Sequence, residues 1–150
     1  MLYKNAHEYR EAKLVLYRSH RWVQLAKRHK RTMLGSTCYV CKSRGIERGA
    51  EETDHVISAQ YERGDTLDHF YDEDNLAGIC KPCHVMVTSK EKAIQHSMRG
   101  LVSYEDGVRD KLVCKIICIF ADLPFIGVDG WRENPDVRWI DDVCECEITV

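Results

Sequence analysis

Two cysteine pairs constrain this chain more than any other feature: Cys38-Tyr39-Val40-Cys41 and Cys80-Lys81-Pro82-Cys83. Two residues between thiols is the spacing at which a tight turn delivers both sulfurs to one metal ion. Two such pairs complete a tetrahedral zinc set. Gly45 permits the sharp return of a knuckle after the first pair. Pro82 makes the second pair a turn rather than a core strand, which argues against two unrelated pairs of buried thiols. The 39-position interval from Cys41 to Cys80 is wide for a simple ribbon, and a hairpin with a long loop would fill it. The chain has 8 cysteines and no visible export signal, so reduced thiols and metal ligands are expected rather than a disulfide framework. That pattern implies a cytoplasmic setting, with no membrane partner, since no apolar run is long enough to span a bilayer.

The net charge of -2 conceals a strong polarity. Residues 1–50 carry 12 Lys+Arg against 3 Asp+Glu, a net +9, and the remaining 100 residues carry 10 against 21, a net -11. A basic arm ahead of an acidic body suits a protein whose front end meets phosphates, although a solvated helix surface would have the same composition. Residues 5–17 contain no Gly or Pro and read as a helix. Ser19 is an N-cap for a second helix, in which Trp22, Ala26, His29 and Met33 recur at helical spacing and Gly35 marks the end. Trp22 reads as a core anchor in preference to a base-stacking residue. The opposite face holds Arg21, Lys27, Arg28, Lys30 and Arg31, the expected nucleic-acid contacts. Residues 52–57 and Leu76–Ile79 read as short strands, with a long polar connection between them, and a helix is expected from about Cys83 to Met98. His84 directly follows the last thiol and so points away from the tetrahedral centre. The run Lys111–Ala121 is a buried strand or a short helix, and periodicity leaves both open. Residues 122–125 and 127–130 are turn-rich, and Val143–Val150 alternates as a strand would. Cys114, Cys118, Cys144 and Cys146 lack knuckle spacing and read as small buried side chains before a second metal site. His7, His20, His29, His69 and His96 lack partner spacing and are assigned to the surface.

Asp54-His55, Asn75 and Cys80-x-x-Cys83-His84 together resemble the HNH endonuclease family in its zinc-stabilised form. Tyr17-x-Ser19-x-x-Trp22 is similar to the leader helix of HNH proteins encoded by bacteriophages, so a host cell cytoplasm is the corresponding setting. The resemblance covers about residues 16–91. It implies an α+β fold with a ββα-metal (HNH, His-Me finger) core, a four-cysteine zinc knuckle, N-terminal helices and a C-terminal extension. The corresponding divisions are a basic helical leader at 1–35, the nuclease core at 36–100 and an extension of unassigned role at 101–150. It also implies hydrolysis of DNA phosphodiesters, with His55 as general base, Asn75 orienting it, and Asp54 and His84 holding one divalent ion such as Mg or Mn. Cys38, Cys41, Cys80 and Cys83 would hold the structural zinc. One departure stands out: Val87-Thr88 occupies the place where many relatives carry Lys-Thr, while Glu91 matches an acidic residue common further along that helix.

Each of these residues also has a plainer reading. His55 in an apolar strand also has a reading as a satisfied core histidine, His84 as a zinc ligand or helix-start residue, and Asn75 as a turn residue, each weighed below the functional one. Strand geometry sends neighbours to opposite faces, so Asp54 and His55 serve one site only where the strand ends or bulges. The competing function is a non-catalytic zinc-binding module that docks DNA or a protein. A third reading makes the acidic C-terminal segment a surface for a phage packaging or recombination protein.

Overall fold

The computed structural model describes residues 5–59, 69–120 and 139–140. Helix α1 (Ala6–Arg18) opens on Asn5, whose side chain accepts the Glu8 N–H at 2.8 Å. Ser19 closes α1 and starts α2 (His20–Lys30): its hydroxyl donates to the Leu16 carbonyl at 2.6 Å and accepts the Trp22 N–H at 3.2 Å. One serine thus satisfies terminal groups of both helices and fixes the bend between them.

Helix α2 stops at Lys30, five positions before the expected glycine. Thr32 ends its run by capping a new one-turn helix, α3 (Met33–Ser36), and accepts the Gly35 N–H at 2.9 Å. Gly35 lies inside α3, where a Cβ would come within 1.9 Å of the His29 carbonyl oxygen. Its role is therefore close approach between two turns and not termination. His29 is 3% exposed, which corrects its assignment to the surface. His69 is half-buried and stacks on Tyr104 with centroids 4.4 Å apart, whereas His7, His20 and His96 are exposed.

Cys38 caps the short helix α4 (Tyr39–Ser43) and Cys41 lies within it, and Gly45 takes a φ of 78° in the return that follows. Strands β1 (Glu52–His55) and β2 (Leu76–Ile79) pair antiparallel, with Thr53 opposite Gly78 and His55 opposite Leu76. β1 is shorter than the expected 52–57 because Asn75 takes over the ladder. Its carbonyl accepts the Val56 N–H at 2.8 Å, and its side-chain oxygen accepts the Ile57 N–H at 2.9 Å. Helix α5 (Lys81–Met98) starts directly after Cys80, with Pro82 in its first turn where no N–H is missed. Two strands and the helix that follows make a ββα unit, so the chain is α+β.

The ambiguous apolar run is helix α6 (Val108–Phe120), which packs against α5. Leu112, Val113, Ile116 and Ile119 join Val40, Val56, Ile79 and Val87 in one core. A second cluster joins Trp22 and Leu25 of α2 to Phe70 and Leu76. Trp22 is therefore the core anchor expected of it. Cys114 and Cys118 are buried in α6. The expected turns at 122–125 and 127–130, the strand at 143–150, and Cys144 and Cys146 lie outside the described residues. Among the described residues, no helix is long and apolar enough to cross a membrane.

Candidate metal and hydrolytic site

The two C-x-x-C turns meet where α4 and the start of α5 flank β2. The sulfurs of Cys38, Cys41, Cys80 and Cys83 all lie within 4.8 Å of one another. Cys41 Sγ is 3.9 Å from Cys80 Sγ and 3.6 Å from Cys83 Sγ. Zinc–sulfur bonds of about 2.3 Å in a tetrahedron place sulfurs about 3.8 Å apart, so the donor set fits zinc in number, chemistry and size. His84 stays out of this cluster, and the four thiols complete it without an imidazole.

Beyond the cluster, β1 and α5 bring a second group of donors together. Asp54 is 7% exposed, and its two carboxylate oxygens face different partners. Oδ2 accepts from the Tyr39 hydroxyl at 2.8 Å and from Lys115 Nζ at 3.0 Å. Oδ1 faces His84 Nε2 at 3.6 Å. His84 Nδ1 lies 2.8 Å from a Glu52 carboxylate oxygen, which only accepts, so Nδ1 carries the hydrogen. Nε2 of His84 and Oδ1 of Asp54 therefore face each other as two possible ligand atoms for one cation. Metal-bound histidines commonly donate their other ring N–H to a carboxylate, as His84 does to Glu52. The donor chemistry at Asp54 and His84 therefore fits a divalent ion.

His55 leaves the strand on the other side. Its ring stacks on Trp22 at 4.9 Å between centroids and lies 4.5 Å from Phe70. Nε2 donates to the Phe70 carbonyl at 2.9 Å, so the lone pair sits on Nδ1, 3.3 Å from the Tyr17 hydroxyl. Burial pushes the imidazole pKa down to about 4, against the opposing pull of the Phe70 carbonyl, so the ring is neutral at pH 7. Asn75 is fully buried and pins the loop that supplies this carbonyl. Its amide nitrogen donates to the carbonyls of Ile57 at 2.9 Å and His69 at 3.3 Å.

Asp54 and His55, although neighbours in a strand, both reach one cleft of about 1140 Å³ between α1 and α5, which His84, Tyr17 and Glu91 also line. The strand ends at His55, and that resolves the conflict between alternation and a shared site. None of Arg21, Lys27, Arg28, Lys30 and Arg31 lines this cleft. Arg28 pairs with Glu73, and the Arg21 guanidinium lies over the Tyr71 ring at 4.0 Å.

Sequence reasoning did not single out Lys115. Its side chain is 0% exposed and reaches from α6 to Asp54, to the His55 carbonyl at 2.9 Å, and to Glu91 at 3.9 Å. Burial pulls the Asp54 pKa up, but the Lys115 and His84 charges and the hydrogen bonds from Lys115 and Tyr39 bring it below the ordinary value. The available signal was a lysine set among apolar residues in Lys111–Ala121, a charge with no solvent-facing position in a buried helix.

Residues 38–90 match the family model described as HNH endonuclease, so the chain carries an HNH domain. Comparison with curated proteins and with solved structures found no match.

Proposed function

We propose, from an HNH domain at residues 38–90, that this chain is a divalent-metal-dependent endonuclease acting on DNA phosphodiester bonds. The observation that carries the reading is the close approach of two ligand-type atoms, Asp54 Oδ1 and His84 Nε2 at 3.6 Å, in the same cleft as a neutral His55. A divalent ion bound there supplies charge stabilisation at the phosphate and the departing oxygen. His55 accepts the proton of the attacking water at Nδ1, because Nε2 is committed to the Phe70 carbonyl. A neutral ring has that lone pair available at pH 7, and the charge of an approaching phosphate raises its proton affinity. Asn75 keeps the Phe70 loop in place and so fixes the tautomer and direction of the base. The Tyr17 hydroxyl, 3.3 Å from Nδ1, occupies the direction from which a water molecule attacks. The four cysteines hold a structural zinc that ties α4 to the start of α5.

The competing reading, a non-catalytic zinc module, draws on this same Tyr17 contact, which covers the base. A plasmid-nicking assay with added Mg or Mn separates the two. His55→Ala is expected to abolish cutting while zinc content and circular dichroism stay as in wild type. Cutting by His55→Ala at the wild-type rate removes the enzyme reading.

A further inference from the structure

We infer that the nucleic-acid backbone is held in the cleft between α1 and α5, with the N-terminal helix as the second jaw, and not on the basic face of α2. The inference rests on the proposed function for its substrate class, and goes beyond it in assigning the binding residues. Two walls of the cleft carry like charge: Arg10 and Lys13 from α1, and Lys90, Lys92 and Arg99 from α5 and its cap. The floor between them holds Asp54, His55 and His84.

The acids in the lining are Asp54 and Glu91, and both lie against the buried Lys115 ammonium, at 3.0 and 3.9 Å. Their charge is therefore partly compensated from inside the protein, while the basic side chains line the open side. Facing cationic walls around a polar floor match a polyanion that passes through, and phosphate contacts of this kind position a chain without reading its sequence. A cleft of about 1140 Å³ is also larger than the usual small-ligand pocket of roughly 300–1000 Å³.

Helix α1 is fixed in this position by specific contacts. The Tyr9 hydroxyl lies 3.3 Å from the Ser58 hydroxyl just beyond β1, and the Tyr17 hydroxyl lies 3.3 Å from His55 Nδ1 at the end of β1. On α2, Arg28 and Arg21 are engaged by Glu73 and Tyr71 of the same chain, and none of Arg21, Lys27, Arg28, Lys30 and Arg31 lines the cleft.

The test is equilibrium binding of a fluorescent DNA duplex to the zinc-loaded full chain, with no other divalent ion added so that nothing is cut. The combined variant Arg10→Ala, Lys13→Ala, Lys92→Ala is compared with Lys27→Ala, Lys30→Ala, Arg31→Ala over a salt series. The cleft variant is expected to lose affinity at least about tenfold and to show a salt slope smaller by about 2.7, from about 0.9 per phosphate contact. The α2 variant should bind within about twofold of wild type, since it removes no contact counted in that slope. Loss in the α2 variant alone, equal loss in both, or loss in neither overturns the inference. Unchanged zinc content and circular dichroism confirm that each variant is folded. Binding is read without cutting, so the outcome is independent of the nuclease reading: cleft-dependent binding together with full cutting by His55→Ala keeps this inference and removes that one.

Discussion

Replacing Lys115 by Met keeps the length of the side chain and deletes its charge, leaving little cavity. The main consequence falls on Asp54, which loses an ammonium at 3.0 Å in a place where the carboxylate is almost shielded from water. Removing one member of a buried ion pair costs about 3–5 kcal/mol, because the survivor remains buried and uncompensated. The His55 carbonyl also loses its 2.9 Å donor. Against a total stability of about 5–15 kcal/mol this is a large fraction. In a domain of this size it corresponds to a melting temperature lower by about 6 to 20 °C. The pair Asp54→Asn with Lys115→Met removes both charges, and should recover most of the loss, since a neutral amide keeps the Tyr39 contact without an orphaned charge. Thermal melts followed by circular dichroism at pH 7 with zinc in excess measure all three proteins. A Lys115→Met melt within about 2 °C of wild type, or a double variant no better than the single, would refute this account of the buried pair.

Zinc removal by a chelator, or Cys80→Ser, is expected to abolish the cooperative melt, since structural zinc in small domains contributes on the order of 10 kcal/mol; the check is metal content against circular dichroism. Burial lowers the His29 pKa despite the opposing charge of Glu73. The unfolded chain therefore binds more protons below about pH 6.5, so stability is full above that value and declines as pH falls towards the folded pKa. His29→Gln should flatten the dependence of urea midpoint on pH between about 7 and 5.5, relative to wild type. Gly78→Ala would place a Cβ 2.5 Å from the Gly35 carbonyl oxygen and 2.7 Å from Ala50 Cβ, whereas Gly100 has nothing within 4 Å. The first change should cost about 1–3 kcal/mol and the second under about 1, read from paired urea melts.

Much of the frame was legible because it depends on near neighbours in the chain. The two C-x-x-C turns, the Ser19 cap and Pro82 at the start of α5 are each decided within a few residues. The α2 boundary failed for a reason that propensity does not record. Gly35 was read as a helix stop, but it is small because α3 folds back on the His29 carbonyl. The surface assignment of His29 failed in the same way: it lacks a spaced partner in sequence, yet it is enclosed by the turn that Gly35 allows.

The sequence by itself determined which residues hold sulfur, carboxylate and imidazole, and which short segments turn, extend or coil around them, since those preferences are set by covalent geometry and local hydrogen bonding. Only the tertiary structure decided that Lys115 would reach Asp54 from 61 positions away, that α1 would form a wall of the cleft, and that α2 would pair part of its basic face internally. Contacts of that range depend on which apolar faces bury one another, and the apolar pattern of a helix states that a face is buried without stating against what.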